Sequence, residues 1–175
     1  KYTLEQMHFH WGRENGVGSE HQIDGLFFDM ELHIVHFNQD KYSSFNEALG
    51  KPQGVTVLSV FFMVQGKQVP VFQNITEMVH KVANGDARKG ETFQLGHPFV
   101  LKDLLPDHAI SEQVTFFRYN GSLTTPPCAE QVNWLVLNAF SSIGEQQVSV
   151  PELYTAMNYF NQRFSYFSQC LAGCI

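Results

Sequence analysis

Gln6-Met7-His8-Phe9-His10-Trp11, read together with Glu31-Leu32-His33 one strand later, decides how this chain folds. On an extended strand, side chains alternate between faces, so Gln6, His8 and His10 share one side and Met7, Phe9 and Trp11 the other. Imidazoles two residues apart then stand roughly 6–7 Å from each other. The second segment repeats the pattern, with Glu31, His33 and Val35 on one face and Met30, Leu32 and Ile34 on the opposite one. Three histidines, with an amide and a carboxylate at the same parity, match a metal site whose ligands are oriented by hydrogen-bond partners. One His on a half-buried strand is ordinarily a core or surface residue, and His-x-His is a weak signal. The apolar opposite face, and the polar partner two residues before a candidate ligand in both segments, leave zinc and an ordinary polar strand face evenly matched on spacing alone.

The 175 residues fit one domain, long enough to bury about 70% of the unfolded surface. Sixteen phenylalanines imply a bulky core. A net charge of −6, without a basic cluster, argues against nucleic acid or another polyanion as partner. No apolar run is long enough to span a bilayer. The chain opens Lys1-Tyr2-Thr3, already strand-like, with neither Met nor signal-peptide pattern, and is expected to be a fragment. Cys128, Cys170 and Cys174 make an odd count, so at least one thiol lacks a partner in the chain or all stay reduced. The sequons Asn74-Ile75-Thr76 and Asn120-Gly121-Ser122 lean towards a secreted context.

Moving outward from the histidines, Tyr2 to Trp11 reads as a strand and residues 12–18 as a polar turn. A second turn falls at Asp24-Gly25, and Phe28 to Phe37 is a strand that can pair antiparallel with the first. Ser44 to Leu49 fits a short helix. Val55 to Val64 is almost continuously apolar, the mark of a strand buried on both faces. Asn74 to Val82 has helical spacing, through Ile75, Met78, Val79 and Val82. Leu101 to Pro106 reads as a helical turn, Gln113 to Tyr119 and Glu130 to Asn138 as strands, and Pro151 to Phe164 as a helix. Residues 121–127 form a loop stiffened by Pro126 and Pro127. The prediction is a mainly β (α+β) domain covering residues 1–175, with short peripheral helices.

Gln6-Met7-His8-Phe9-His10-Trp11-Gly12, Gly18-Ser19-Glu20-His21, Glu31-Leu32-His33-Ile34-Val35-His36-Phe37-Asn38 and Gly121-Ser122-Leu123-Thr124-Thr125-Pro126-Pro127 resemble the α-class carbonic anhydrases. The resemblance runs from about Tyr2 to about Leu137, with Leu104-Leu105-Pro106 in place, and a divergent tail follows over 141–175. It implies an incomplete version of that fold: a large twisted, mostly antiparallel sheet with a conical cavity leading to zinc. His8, His10 and His33 become the zinc ligands, with water or hydroxide in the fourth position. Gln6 and Glu31 accept from the non-ligating nitrogens of His8 and His33. Thr124 accepts the hydroxide proton and donates its own to Glu20, which is acceptor-only when ionised. Its backbone N–H binds a substrate oxygen as negative charge develops there. His21 and Tyr119 brace the loop. Val35, Val55, Val57, Leu123, Val132 and Trp134 form the apolar wall for carbon dioxide, with Thr125 beside them.

The activity so implied is reversible hydration of carbon dioxide to bicarbonate and a proton, with sulfonamides as inhibitors. The alternatives are a non-catalytic binding or matrix module, or an inactive truncated product. Non-catalytic relatives typically lack a ligand histidine, and all three are present here. The N-terminal portion that carries the family's proton shuttle is absent, so no shuttle residue is assigned. The closing Asn-x-Arg-Pro-like segment survives at best as Asn161-Gln162-Arg163-Phe164. His36, His80, His97 and His108 are read as structural or exposed. In secreted and membrane-anchored members, a cysteine placed like Cys128 is disulfide-bonded to the N-terminal portion. The resemblance therefore implies an orphan Cys128 here and an extracellular or outward-facing parent, with a cytoplasmic one as the alternative.

Overall fold

Alternation with a period of two dominates the strands, and the computed structural model, which describes residues 1–12, 14–66, 68–73, 75–77, 100–106 and 114–147, shows the sheet it builds. The strands are β1 (Tyr2–Trp11), β2 (Met30–Asn38), β3 (Val55–Val64), β4 (Phe116–Ser122) and β5 (Glu130–Ile143). They form one sheet in the order β1-β2-β3-β5-β4. β1/β2, β2/β3 and β4/β5 pair antiparallel, and β3/β5 pair parallel. The sheet is therefore mixed but mostly antiparallel.

Opposite parities build two different layers. Met30, Leu32, Ile34, Val60, Phe62 and Leu137 close one face with Phe72, Leu104 and Ile143, and Met7, Phe9 and Trp11 pack against them. Each such side chain, once fully buried, contributes about 1.5–3 kcal/mol. The other face carries a smaller apolar cluster of Val35, Val55, Val57, Val132 and Trp134 with Ala48. Beside it lie the buried polar side chains Glu31, His33 and Ser59. The register shifts between Leu4 and Gln6, so the parity that matters is counted from Gln6 onward.

Boundaries differ from expectation where polar side chains intervene. β2 starts at Met30 rather than Phe28 because the Asp29 carboxylate is engaged by the backbone N–H groups of Gly16 and Val64, both at 2.6 Å. β4 starts at Phe116, and β5 runs five residues past Asn138, to Ile143. That extension is held by polar groups outside the strand: Asn138 Nδ2 donates to Thr115 Oγ1 at 3.1 Å, and Ser141 Oγ to the Leu104 carbonyl at 2.9 Å. The short helix is α1 (Phe45–Ala48), capped by Ser44, whose side chain accepts from the Glu47 N–H. Leu101–Leu104 is a single 3₁₀ turn. Of the helix expected over Asn74 to Val82, residues 75–77 are helical and the rest lie outside the described residues, as does Pro151 to Phe164.

Candidate metal centre

The β1/β2 register sets His8 directly opposite His33 and His10 opposite Glu31. With shared parity, three rings meet on one face: centroids are 5.0 Å apart for His8–His10, 5.2 Å for His8–His33 and 4.5 Å for His10–His33. One nitrogen from each lies within 4.8 Å of the others. His8 Nδ1 donates to Gln6 Oε1 at 2.8 Å, and His33 Nε2 to Glu31 Oε1 at 2.8 Å, so the opposite nitrogens carry the lone pairs. His33 Nδ1 faces His10 Nε2 at 3.1 Å. Burial, reinforced by the neighbouring His33 ring, pushes His8 down to about 4 and His10 down to about 3. Both rings are neutral at pH 7, the form that ligates a metal.

The loop carrying Glu20 is tied to the same centre. Gly18 and Ser19 N–H groups donate to the Phe28 carbonyl at 2.9 and 3.0 Å. A Cβ on Gly18 would sit 1.8 Å from the Asp29 carbonyl oxygen, so only glycine allows this approach. Glu20 and His21 N–H groups donate to Glu31 Oε2, each at 2.8 Å. His21 Nδ1 donates to Glu31 Oε1, and Tyr119 OH donates to His21 Nε2 at 2.6 Å. Burial, followed by the Glu31 and Glu20 charges, pushes Tyr119 up to about 12, which keeps that donor protonated. For Glu31, burial alone would raise the pKa, but hydrogen bonds from His21 and His33 outweigh it and hold the carboxyl well below its usual range.

Glu20 Oε1 lies 3.4 Å from His10 Nδ1, and its Oε2 is buried without a hydrogen-bond partner. Burial raises the Glu20 pKa, opposed first by His33 and then by a hydrogen bond with Thr124. The loop around Thr124 closes through Leu123 N–H to the Ala129 carbonyl and Cys128 N–H to the Thr125 carbonyl, both 2.9 Å. Trp134 beneath it donates from Nε1 to the Ser122 carbonyl at 3.0 Å. A cavity of about 430 Å³ opens above, with Gln6, His8, His33, Thr124 and Thr125 among the residues that line it.

Of the expected apolar wall, four side chains reach the cavity. Val35, Val57, Leu123 and Trp134 line the cavity, whereas Val55 and Val132 do not. Those two pair with each other one pleat beyond the Val57–Trp134 pair and are buried in the apolar cluster instead. Phe45, Asn46 and Leu49 from around α1, with Pro126 and Pro127, complete the lining. The helix was legible in the sequence, but its seat over the cavity was not. Cys128 is disulfide-bonded and so is not the orphan thiol expected. His36 is half-buried, with Nδ1 3.0 Å from the Ile34 carbonyl, while His80, His97, His108, Cys170 and Cys174 lie outside the described residues.

Three converging imidazole nitrogens, with the second ring nitrogen of His8 and of His33 already committed to a hydrogen-bond partner, are a donor set suited to zinc. The sheet, cavity and histidine cluster define a carbonic-anhydrase-type protein. A sequence model described as eukaryotic-type carbonic anhydrase matches residues 1–163, and the chain belongs to that family. It is 42% identical over 147 residues to human carbonic anhydrase 7, covering 84% of this chain and 52% of the relative. Mouse carbonic anhydrase 7 gives 40% over the same length and shares. A human protein named carbonic anhydrase-related protein is 34% identical over 148 residues, covering 85% of this chain and 48% of its own. The chain thus spans about half the length of the relatives it matches.

Proposed function

We propose that the parent protein interconverts carbon dioxide and bicarbonate with zinc held by His8, His10 and His33. The observation that carries this reading is the convergence of the His8, His10 and His33 ring nitrogens beside a cavity lined by His8, His33 and Thr124. Zinc held by these three histidines would supply Lewis acidity, making a water at the site acidic enough to lose a proton near neutral pH. Gln6 and Glu31 hold His8 and His33 in the ligating tautomer. The Thr124 hydroxyl donates to ionised Glu20 and accepts the proton of the attacking oxygen, which aims a lone pair at the substrate carbon. Carbon dioxide lies against Val35, Val57, Leu123 and Trp134, and the Thr124 N–H meets the oxygen that becomes negative. The same combination of apolar wall and polar floor suits an aryl sulfonamide.

The relative named carbonic anhydrase-related protein supports a second reading, a folded module without turnover. Zinc content and carbon dioxide hydration, measured together on the purified chain, separate the two. One zinc per chain with hydration abolished by a chelator is expected. Stoichiometric zinc without hydration would favour the module, and absence of both would overturn the metal reading.

We also place the parent in an oxidising compartment. Cys128 is disulfide-bonded and Asn120 of the second sequon is exposed. Among the described residues no helix is long and apolar enough to cross a membrane. Glycan mapping of the parent protein from eukaryotic cells is expected to find Asn120 modified, and an unmodified Asn120 with a reduced Cys128 would reverse the assignment.

A further inference from the structure

Ser59 interrupts the most apolar strand of the sheet. Around it in β3 stand Val57, Leu58, Val60, Phe61 and Phe62, and Ser59 itself is completely buried. A hydroxyl there costs free energy unless it finds a partner. Its Oγ donates to Glu31 Oε1 at 2.6 Å, and Glu31 is equally buried. In the β2/β3 register Ser59 sits directly opposite His33, just before the register of β3 against β5 shifts.

Glu31 Oε1 therefore accepts from three groups on three different segments: His33 Nε2 of β2 at 2.8 Å, His21 Nδ1 of the loop, and Ser59 Oγ of β3. Two of those donors are imidazoles that can turn about their side-chain torsions. Ser59 has the shortest tether and stands on the central strand, so it is the most rigid of the three. We propose that Ser59 is a positioning residue for the metal ligand His33, acting through Glu31. The proposal rests on the metal reading above. With Oε1 fixed from β3, the His33 N–H has one place to point, which keeps the proton on Nε2 and directs the Nδ1 lone pair towards His8 and His10. Without the hydroxyl, a buried carboxylate oxygen loses one donor, and both rings gain freedom to follow it.

Ser59→Ala and Ser59→Thr test this, with Val60→Ala as control; Val60 is fully buried in the apolar layer on the opposite face of the sheet. Zinc release to a chelator is expected to accelerate about tenfold in Ser59→Ala, the lower end of what losing an outer hydrogen-bond partner costs. In zinc-free protein the His33 ring N–H proton resonance is expected to move or broaden. Ser59→Thr, which keeps the hydroxyl, is expected to stay near wild type on both readouts. Val60→Ala is expected to lower the unfolding midpoint without changing zinc release, which separates positioning from stability. Unchanged zinc release with an unmoved His33 resonance in Ser59→Ala would overturn the proposal. Were the wild-type chain to bind no zinc, the metal reading would fall, while the His33 resonance would still decide whether Ser59 orients that ring.

Discussion

His33→Ala is expected to cost the chain its zinc. His33 is almost completely buried, its Nε2 is held by Glu31, and its Nδ1 points at the other two rings, so no flexible neighbour replaces the donor. A four-ligand zinc site is worth roughly 10–16 kcal/mol in all, or about 2.5–4 kcal/mol per ligand, which is about two to three powers of ten in affinity. Gln6→Ala removes only the hydrogen-bond partner of His8 and is expected to lose about 10–100-fold. Chelator competition on both variants reads the difference. Full zinc retention in His33→Ala would remove His33 from the ligand set.

The local geometry of a strand alone puts Gln6, His8 and His10 on one face, and the β1/β2 register then brings His33 opposite His8. β3 was legible for the same reason: an unbroken apolar run fits a strand covered on both sides. Its parallel pairing with β5 was not legible, because 65 residues separate Val64 from Glu130 and nothing in either segment states which partner lies beside it. The same non-local pairing decided that Val57 and Trp134, rather than Val55 and Val132, reach the cavity. The extension of β5 to Ile143 was hidden by Asn138, Ser141 and Ser142, which look like a strand end until their partners Thr115, Leu104 and Gln65 are in place. Ser59 was not legible because it is one of two hydroxyls in an otherwise apolar strand of ten residues, and nothing marks it until a carboxylate is found 2.6 Å away. The family resemblance supplied what periodicity could not, the roles of Thr124 and Glu20, which sit on separate loops.

Thr124→Val is expected to leave zinc bound and to lower carbon dioxide hydration by about 10²–10³-fold, the range for removing one group that orients or stabilises the reacting atoms. Valine matches threonine in shape, so the cavity wall and the Leu123 to Ala129 and Cys128 to Thr125 closures are kept. Only the hydroxyl is lost. Glu20 then faces a methyl group. Its Oε2 already lacks a partner, and burial already raises its pKa; loss of the Thr124 hydrogen bond removes one of the influences that oppose this rise. The attacking oxygen keeps its ionisation but loses the acceptor that fixed its remaining proton, so its lone pair is no longer aimed at the substrate carbon. The backbone N–H of Thr124 is untouched, which is why the loss stops short of complete inactivity. Glu20→Gln makes the complementary test, since an amide can donate to the Thr124 oxygen and reverse the hydrogen bond that ionised Glu20 accepts. It is expected to impair hydration to a similar degree, and the double variant is expected to be little worse than either single one. Additive losses would mean that the two side chains act separately, and an unchanged rate in Thr124→Val would eliminate the relay while leaving the zinc assignment to the histidine variants.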